Sequence, residues 1–251
     1  MMRSILKESL CILIILVRIY FTAGAQTNVA KFQFGINAGA FVYQGDLTPE
    51  AVGSYKTLRP TISLFASKFF SSSFAFRGNL ALGRLRGNDA VYDQPAYRQH
   101  RNFNFRSPVI EISGMGEWNV LGRNYTSRGL APYLFVGGGI SFVKIKRDYS
   151  NLDAEYFPST ANVITGLTAD AQHSLPKVLL VLPMGIGVRY YLSDRIGISA
   201  ETSYRIMSND YLDGFSLAAN PAKGDHYYSH TIGVVYRVGK KNTLDCPAIR
   251  H

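Results

Sequence analysis

Between Leu179 and Met207 hydrophobic side chains recur at every second position through two runs, and no other feature restricts the fold as strongly. In the first run Leu180, Leu182, Met184, Ile186, Val188, Tyr190 and Leu192 share one face. Val181, Pro183, Gly185, Gly187, Arg189 and Tyr191 share the other. In the second run Ile196, Ile198, Ala200, Thr202, Tyr204 and Ile206 alternate with Gly197, Ser199, Glu201, Ser203, Arg205 and Met207. A period of two is the repeat of a β-strand, and the polar Ser193-Asp194-Arg195 connection predicts a hairpin. Each run is about a dozen residues, and a tilted strand crosses a bilayer in about 9–11. One continuous apolar face opposite Arg, Glu and Gly is the pattern of a strand between lipid and a polar lumen.

The rest of the chain repeats this template. Gln33 to Tyr43 puts Phe34, Ile36, Ala38, Ala40 and Val42 on one face. Thr61 to Phe69 and Phe74 to Gly83 predict the second and third strands, Phe105 to Val120 the fourth, and Tyr133 to Lys146 the fifth. The opening hairpin supplies the sixth and seventh, and His230 to Val238 the eighth. Long polar connections fall at 44–59, 86–102, 147–177 and 209–227, and shorter ones at 70–73, 121–131 and 193–195. The stretch at 147–177 is long enough to be functional or mobile. An even strand number with long and short loops alternating is the signature of a barrel with short periplasmic turns and long outer loops. The predicted fold is all-β: an eight-stranded antiparallel up-and-down transmembrane β-barrel with a filled polar interior, spanning residues 26–238.

The N-terminus fits an exported barrel. Arg3 and Lys7 precede an apolar core, Leu10 to Val17, and Ala23-Gly24-Ala25 offers a cleavage site, so residues 1–25 read as a signal peptide. The core is too short to span a bilayer as a helix. Cleavage removes three of the 27 Lys and Arg and one of the 17 carboxylates, and leaves the chain basic. Cys246 is then the remaining cysteine, which excludes an intramolecular disulfide framework. Residues 239–251 read as a periplasmic tail.

Charge patterning separates inside from outside. Arg77, Glu111, Glu117, Arg189, Glu201, Arg205 and Arg237 fall on the predicted inward face and should pair there, because unpaired buried charge is costly. Inward glycines (Gly35, Gly39, Gly137, Gly139, Gly185, Gly187) leave room for Phe41, Tyr43, Phe65 and Tyr191, so an eight-stranded lumen should be filled. Outward Lys68, Arg106, Lys144 and Lys146 lie at strand ends. Arg84, Arg86, Arg98, Arg101, Lys144, Lys146, Arg147 and Lys177 fall at or above the outer rim, the level of lipopolysaccharide phosphates. Of these, Arg84, Arg86, Lys144 and Lys146 are the candidate phosphate contacts; Asp89, Asp93, Asp148 and Asp153 dilute the patch, and ordinary solvated loops are the competing reading. The carboxylates Glu111, Glu117 and Glu201 read as arginine partners rather than acid/base catalysts. No cofactor or metal site is expected, since the histidines are scattered and no Gly-rich loop precedes a helix. Nucleic acid is not an expected partner of an exported chain. The His226-Tyr227-Tyr228-Ser229-His230 cluster admits a lipid A hydrolase built on Ser229 and a histidine, or polar rim residues.

Several segments resemble a family of outer-membrane β-barrels that includes PorG-like proteins of the type IX secretion system: Tyr43-Gln44-Gly45-Asp46-Leu47, Arg77 to Ala90, Phe105 to Ile112, Pro132 to Gly137, Pro183 to Val188 and Asp210-Tyr211-Leu212-Asp213. The resemblance implies a non-enzymatic barrel in contact with outer-membrane lipid and lipopolysaccharide, and docking at the periplasmic side to secretion-ring proteins. The last strand departs from many such barrels, because Tyr236 lies well before the terminus. The alternatives are the lipid A-modifying surface hydrolase and a generic structural or adhesin barrel.

Overall fold

The computed structural model describes residues 30–159, 161–219 and 224–239. The predicted signal peptide, Cys246 and nearly all of the predicted tail lie outside the described residues. The strands are β1 (Phe32–Gln44), β2 (Arg59–Phe69), β3 (Phe74–Asn88), β4 (Asn104–Asn119), β5 (Gly129–Val143), the three-residue β6 (Lys146–Asp148), β7 (Val178–Tyr191), β8 (Ile196–Met207) and β9 (His226–Val238). All pairings are antiparallel, and the order β3-β2-β1-β9-β8-β7-β5-β4 closes through β3 with β4. The eight long strands therefore form a closed barrel without a free sheet edge. The short strand β6 adds to β4 beyond the end of β5.

The outer wall carries the apolar half of each alternation. Phe34, Ile36, Leu64, Ile112, Leu180 and Ile186 are exposed, and Ile232 is 72% exposed. A contiguous apolar surface of this extent is stable only against an apolar surround. Inside, glycines face rings on neighbouring strands. Gly35 lies opposite Phe65 and Gly187 opposite Tyr133, and a Cβ on either glycine would overlap the ring. Each missing side chain is thus the space in which an aromatic lies flat against the neighbouring strand, and these rings fill the lumen.

Several strand limits differ from the sequence expectation: β5 begins four residues early, at Gly129, and β2 two residues early, at Arg59, and the outer ends shift as well. β3 continues past Gly83 to Asn88, β9 begins at His226, and β5 stops at Val143 with β6 following as a separate piece. Above the apolar belt the outward positions become polar (Arg84, Arg86, His226), so the period-two signal fades while the backbone ladder continues. Val42, expected on the lipid face, is 1% exposed. The 45–58 connection folds back over it, with Ser54 N–H donating to the Tyr43 carbonyl.

The long connections all emerge at one end and pack together. They contribute a helix α1 (Tyr97–Arg101) and a helix α2 (Asn162–Gln172). Among the described residues no helix is long and apolar enough to cross a membrane. Leu47, Phe103, Leu212 and Phe215 are fully buried in this assembly, continuous with Phe41, Tyr43, Phe105 and Tyr227 at the barrel mouth. The stretch expected to be functional or mobile contains α2, which docks through Gly166 on the backbone at Leu217.

The glycine-ring packing is open to a direct check. Gly187→Val should force the Tyr133 ring out of its place and destabilise the barrel by about 1–3 kcal/mol, as overpacking does. The expected outcome is a lower temperature for the gel-mobility shift of the detergent-folded protein; an unchanged transition would contradict the packing.

Candidate functional site

Three groups of polar residues stand out: an ion-pair network in the lumen, a carboxylate cluster under the outer cap, and a basic patch on the outer wall. Alternation aims Arg77, Glu111, Glu117, Arg189, Glu201 and Arg205 inward, where all but Glu201, which is half-buried, are buried. The lower tier runs Glu201–Arg77–Glu117–Arg189, with N···O distances of 2.7, 3.4 and 2.6 Å. Arg77 belongs to β3 and Glu201 to β8, strands on opposite sides of the barrel, so this pair spans the lumen. Tyr133 also donates to Glu201. The guanidinium of Arg77 stacks 3.7 Å from the Phe65 ring centre, and that of Arg189 3.7 Å from the Tyr133 ring. These are the same rings that the glycines accommodate. In the upper tier Arg205 Nε donates to Glu111 at 2.6 Å and Tyr227 donates to the same carboxylate at 2.9 Å.

Arg237 departs from the expected network. It makes no ion pair with a carboxylate among the described residues; its guanidinium lies 3.2 Å from the Tyr191 ring centre and donates to the Thr126 carbonyl. Four inward guanidiniums face three carboxylates, and the one nearest the short turns is held by a π-face and a single backbone oxygen instead.

The carboxylate cluster lies at the outer mouth. Tyr43 Oη is 2.7 Å from Asp213 Oδ2 and 2.8 Å from Asp225 Oδ1, and both aspartates are fully buried. One hydroxyl has one hydrogen, so the second contact needs a proton from a carboxyl. Burial pushes both Asp213 and Asp225 well above the usual carboxylate range, and the charge of Asp46 adds to the shift. Gly45 makes this approach possible, since a Cβ there would overlap Asp225. Two further buried aspartates hold the cap. Asp89 accepts from Arg98 at 2.7 Å and Arg101 at 2.6 Å, and both arginines donate to the Asp46 carbonyl at 3.1 Å. Asp170 on α2 accepts from the backbone N–H groups of Ser216, Leu217 and Ala218. Sequence reasoning missed this cluster as a unit; its signal was the pair of segments ending Tyr43–Leu47 and Asp210–Asp213.

The cap also reassigns part of the expected rim charge. Arg98 and Arg101 are buried against Asp89, and Arg147 donates to the Gly214 and Ala171 carbonyls. Arg84, Arg86, Lys144 and Lys146 stay exposed on the outer wall, joined by Arg106. Ser229 and His230 do not meet. Ser229 points into the barrel and is 4% exposed, whereas His230 faces outward between Tyr55 Oη at 2.9 Å and Thr202 Oγ1 at 3.1 Å. Adjacent strand residues point to opposite faces, so this serine has no base in its neighbour. Among the described residues no group of three or more His, Cys, Asp and Glu is arranged to hold a metal ion.

Comparison with known proteins gives the following. The family described as "Domain of unknown function (DUF6089)" matches residues 7–242. No curated protein matches the sequence. Among solved structures, the attachment invasion locus protein Ail of Yersinia pestis, in complex with the heparin analogue sucrose octasulfate, is similar at 12% identity, TM-score 0.45, covering 84% of this chain and 99% of that one. Neisserial surface protein A is similar at 15% identity and TM-score 0.44, over 82% and 97% of the two chains. The outer membrane protein OprG from Pseudomonas aeruginosa is similar at 11% identity and TM-score 0.43, over 86% and 100%.

The raised carboxyl values give the cap a pH dependence of defined sign. A carboxyl whose folded value is raised stabilises the closed cap fully below its ordinary value of about 3.9. That contribution is lost as pH rises through the folded value. Limited proteolysis of the outer loops in the detergent-folded protein should therefore accelerate from mildly acidic to alkaline pH. Asp225→Asn, which cannot ionise, should flatten the profile; an unaltered profile would contradict the shared-proton arrangement.

Proposed function

The chain belongs to the DUF6089 family, and we propose that it is a non-enzymatic, non-conducting barrel of the bacterial outer membrane that serves as a PorG-like component of a type IX protein secretion assembly. The observation that carries the first half is the occupied lumen. Ion pairs reach across it in two tiers, rings fill the space beside them, and the cap closes the outer mouth. A barrel built this way acts through its surfaces, not through a channel. The secretion role is supported by the segments around Tyr43–Leu47, Arg77–Ala90 and Asp210–Asp213, which resemble PorG-like proteins and here converge on the barrel mouth and its cap. Export and docking of periplasmic ring proteins at the short turns 70–73, 120–128 and 192–195 are parts of the same reading. The hydrolase alternative is weakened by the opposed facing of Ser229 and His230.

The test is affinity isolation through a tag on the C-terminal tail after mild solubilisation of native membranes. Periplasmic ring proteins of the secretion assembly should be recovered with the barrel. Recovery of the barrel without them would contradict the secretion role and leave a structural or adhesin barrel.

A further inference from the structure

The basic patch on the outer wall has an order that the strand registers define. Arg86 lies directly opposite Arg106, and Arg106 directly opposite Lys146, so three cations form one row across β3, β4 and β6. One row nearer the membrane, Arg84 lies opposite Pro108. The pairing of Val109 with Val143 and of Arg106 with Lys146 follows a single register, which sets Lys144 on the other side of Pro108. Proline has no N–H to give the ladder, and Pro108 lies in the gap where the pairing of β4 with β5 ends and that with β6 begins. Five cations thus surround a small, flat residue on one exposed face.

Directly opposed side chains in an antiparallel sheet have Cβ atoms about 4.5–5.5 Å apart, and like charges in that position are destabilising. Among the described residues none of these five is in an ion pair. The acid at the edge of the patch, Asp148, accepts from the Ser150 N–H at 3.0 Å and its hydroxyl at 2.8 Å, and its charge acts on Arg106 without forming an ion pair with it. By contrast, every inward guanidinium has a carboxylate, a ring or a carbonyl. Immediately below, the same outward face turns apolar: Leu82, Ile110 and Phe142 stand opposite one another on β3, β4 and β5, all exposed, with Ile112 and Ile140 in the next row. Cations above an unbroken apolar wall match a ligand with anionic groups at one end and acyl chains at the other.

We propose that this face binds one phosphate-bearing lipid, lipid A of the outer leaflet, with its phosphates on Arg86, Arg106 and Lys146 over Pro108 and its acyl chains along Leu82, Ile110 and Phe142. Guanidinium forks bind phosphate in two-point geometry, and an intervening phosphate converts the opposed like charges into paired ones. The inference goes beyond the secretion reading and stands without it.

The experiment is native mass spectrometry of the detergent-folded full chain with added lipid A, dephosphorylated lipid A or phosphatidylglycerol. The wild type should retain lipid A, and the triple variant Arg86→Gln/Arg106→Gln/Lys146→Gln should lose it by about tenfold or more. All three residues are exposed, so the variant should keep the wild-type gel-mobility shift, and Arg195→Gln on a short turn should bind as wild type. Dephosphorylated lipid A should be retained as poorly by the wild type as lipid A is by the variant. Equal retention of lipid A by wild type and triple variant, or of dephosphorylated lipid A by the wild type, would overturn the phosphate contacts. Retention of phosphatidylglycerol as strong as that of lipid A would overturn the assignment to lipid A and leave a general anionic surface.

Discussion

The rest of this barrel depends on neutralising charge in a lumen only wide enough for side chains. A guanidinium removed from water in such a space is costly unless a close carboxylate, or failing that a π-face and a carbonyl, offsets its charge. Arg77 and Arg189 find that charge partner in Glu117 and Glu201, and Arg205 in Glu111. The aromatic rings follow from the same requirement, because Phe65 and Tyr133 give the guanidiniums a π-face. The glycines follow in turn, because Gly35 and Gly187 leave space for those rings. Glycine, ring, arginine and glutamate form a chain of dependence running from the wall to the centre.

The outer cap repeats the principle with acids as the buried partners. Asp89 collects two arginines, Asp170 collects three backbone donors, and Asp213 and Asp225 share Tyr43. Long loops are held against the barrel by buried charge and by the stacked Phe103 and Phe215, whose ring centres are 4.4 Å apart. Outside the lumen and the cap, the outer wall gathers five exposed cations, Arg84, Arg86, Arg106, Lys144 and Lys146, that no ion pair among the described residues neutralises.

Legibility in the sequence followed the solvent. Wherever lipid lies outside and a lumen inside, each strand must alternate, and Leu180 outward with Arg189 inward could be read from position alone. Above the belt that constraint ends, so the continuation of β3 through Arg84 and Arg86 and the start of β9 at His226 left no apolar trace. The cap was hidden for another reason. Tyr43 and Asp213 are separated by 170 positions, and a contact at that distance has no periodicity to announce it. Arg237 shows the limit of counting charges: the surplus of one inward guanidinium was visible, but not that Tyr191 and a turn carbonyl would accept it.

The most direct measurement of the central claim compares Arg205→Met with the double variant Arg205→Met/Glu111→Leu by equilibrium unfolding of the detergent-folded barrel. Removing one partner of a buried pair should cost about 3–5 kcal/mol because the other charge is left unpaired, whereas replacing both with apolar groups should restore most of that loss. Recovery in the double variant is the expected result. Equal destabilisation of single and double variants, or none in the single, would contradict an account in which internal charge neutralisation organises the barrel.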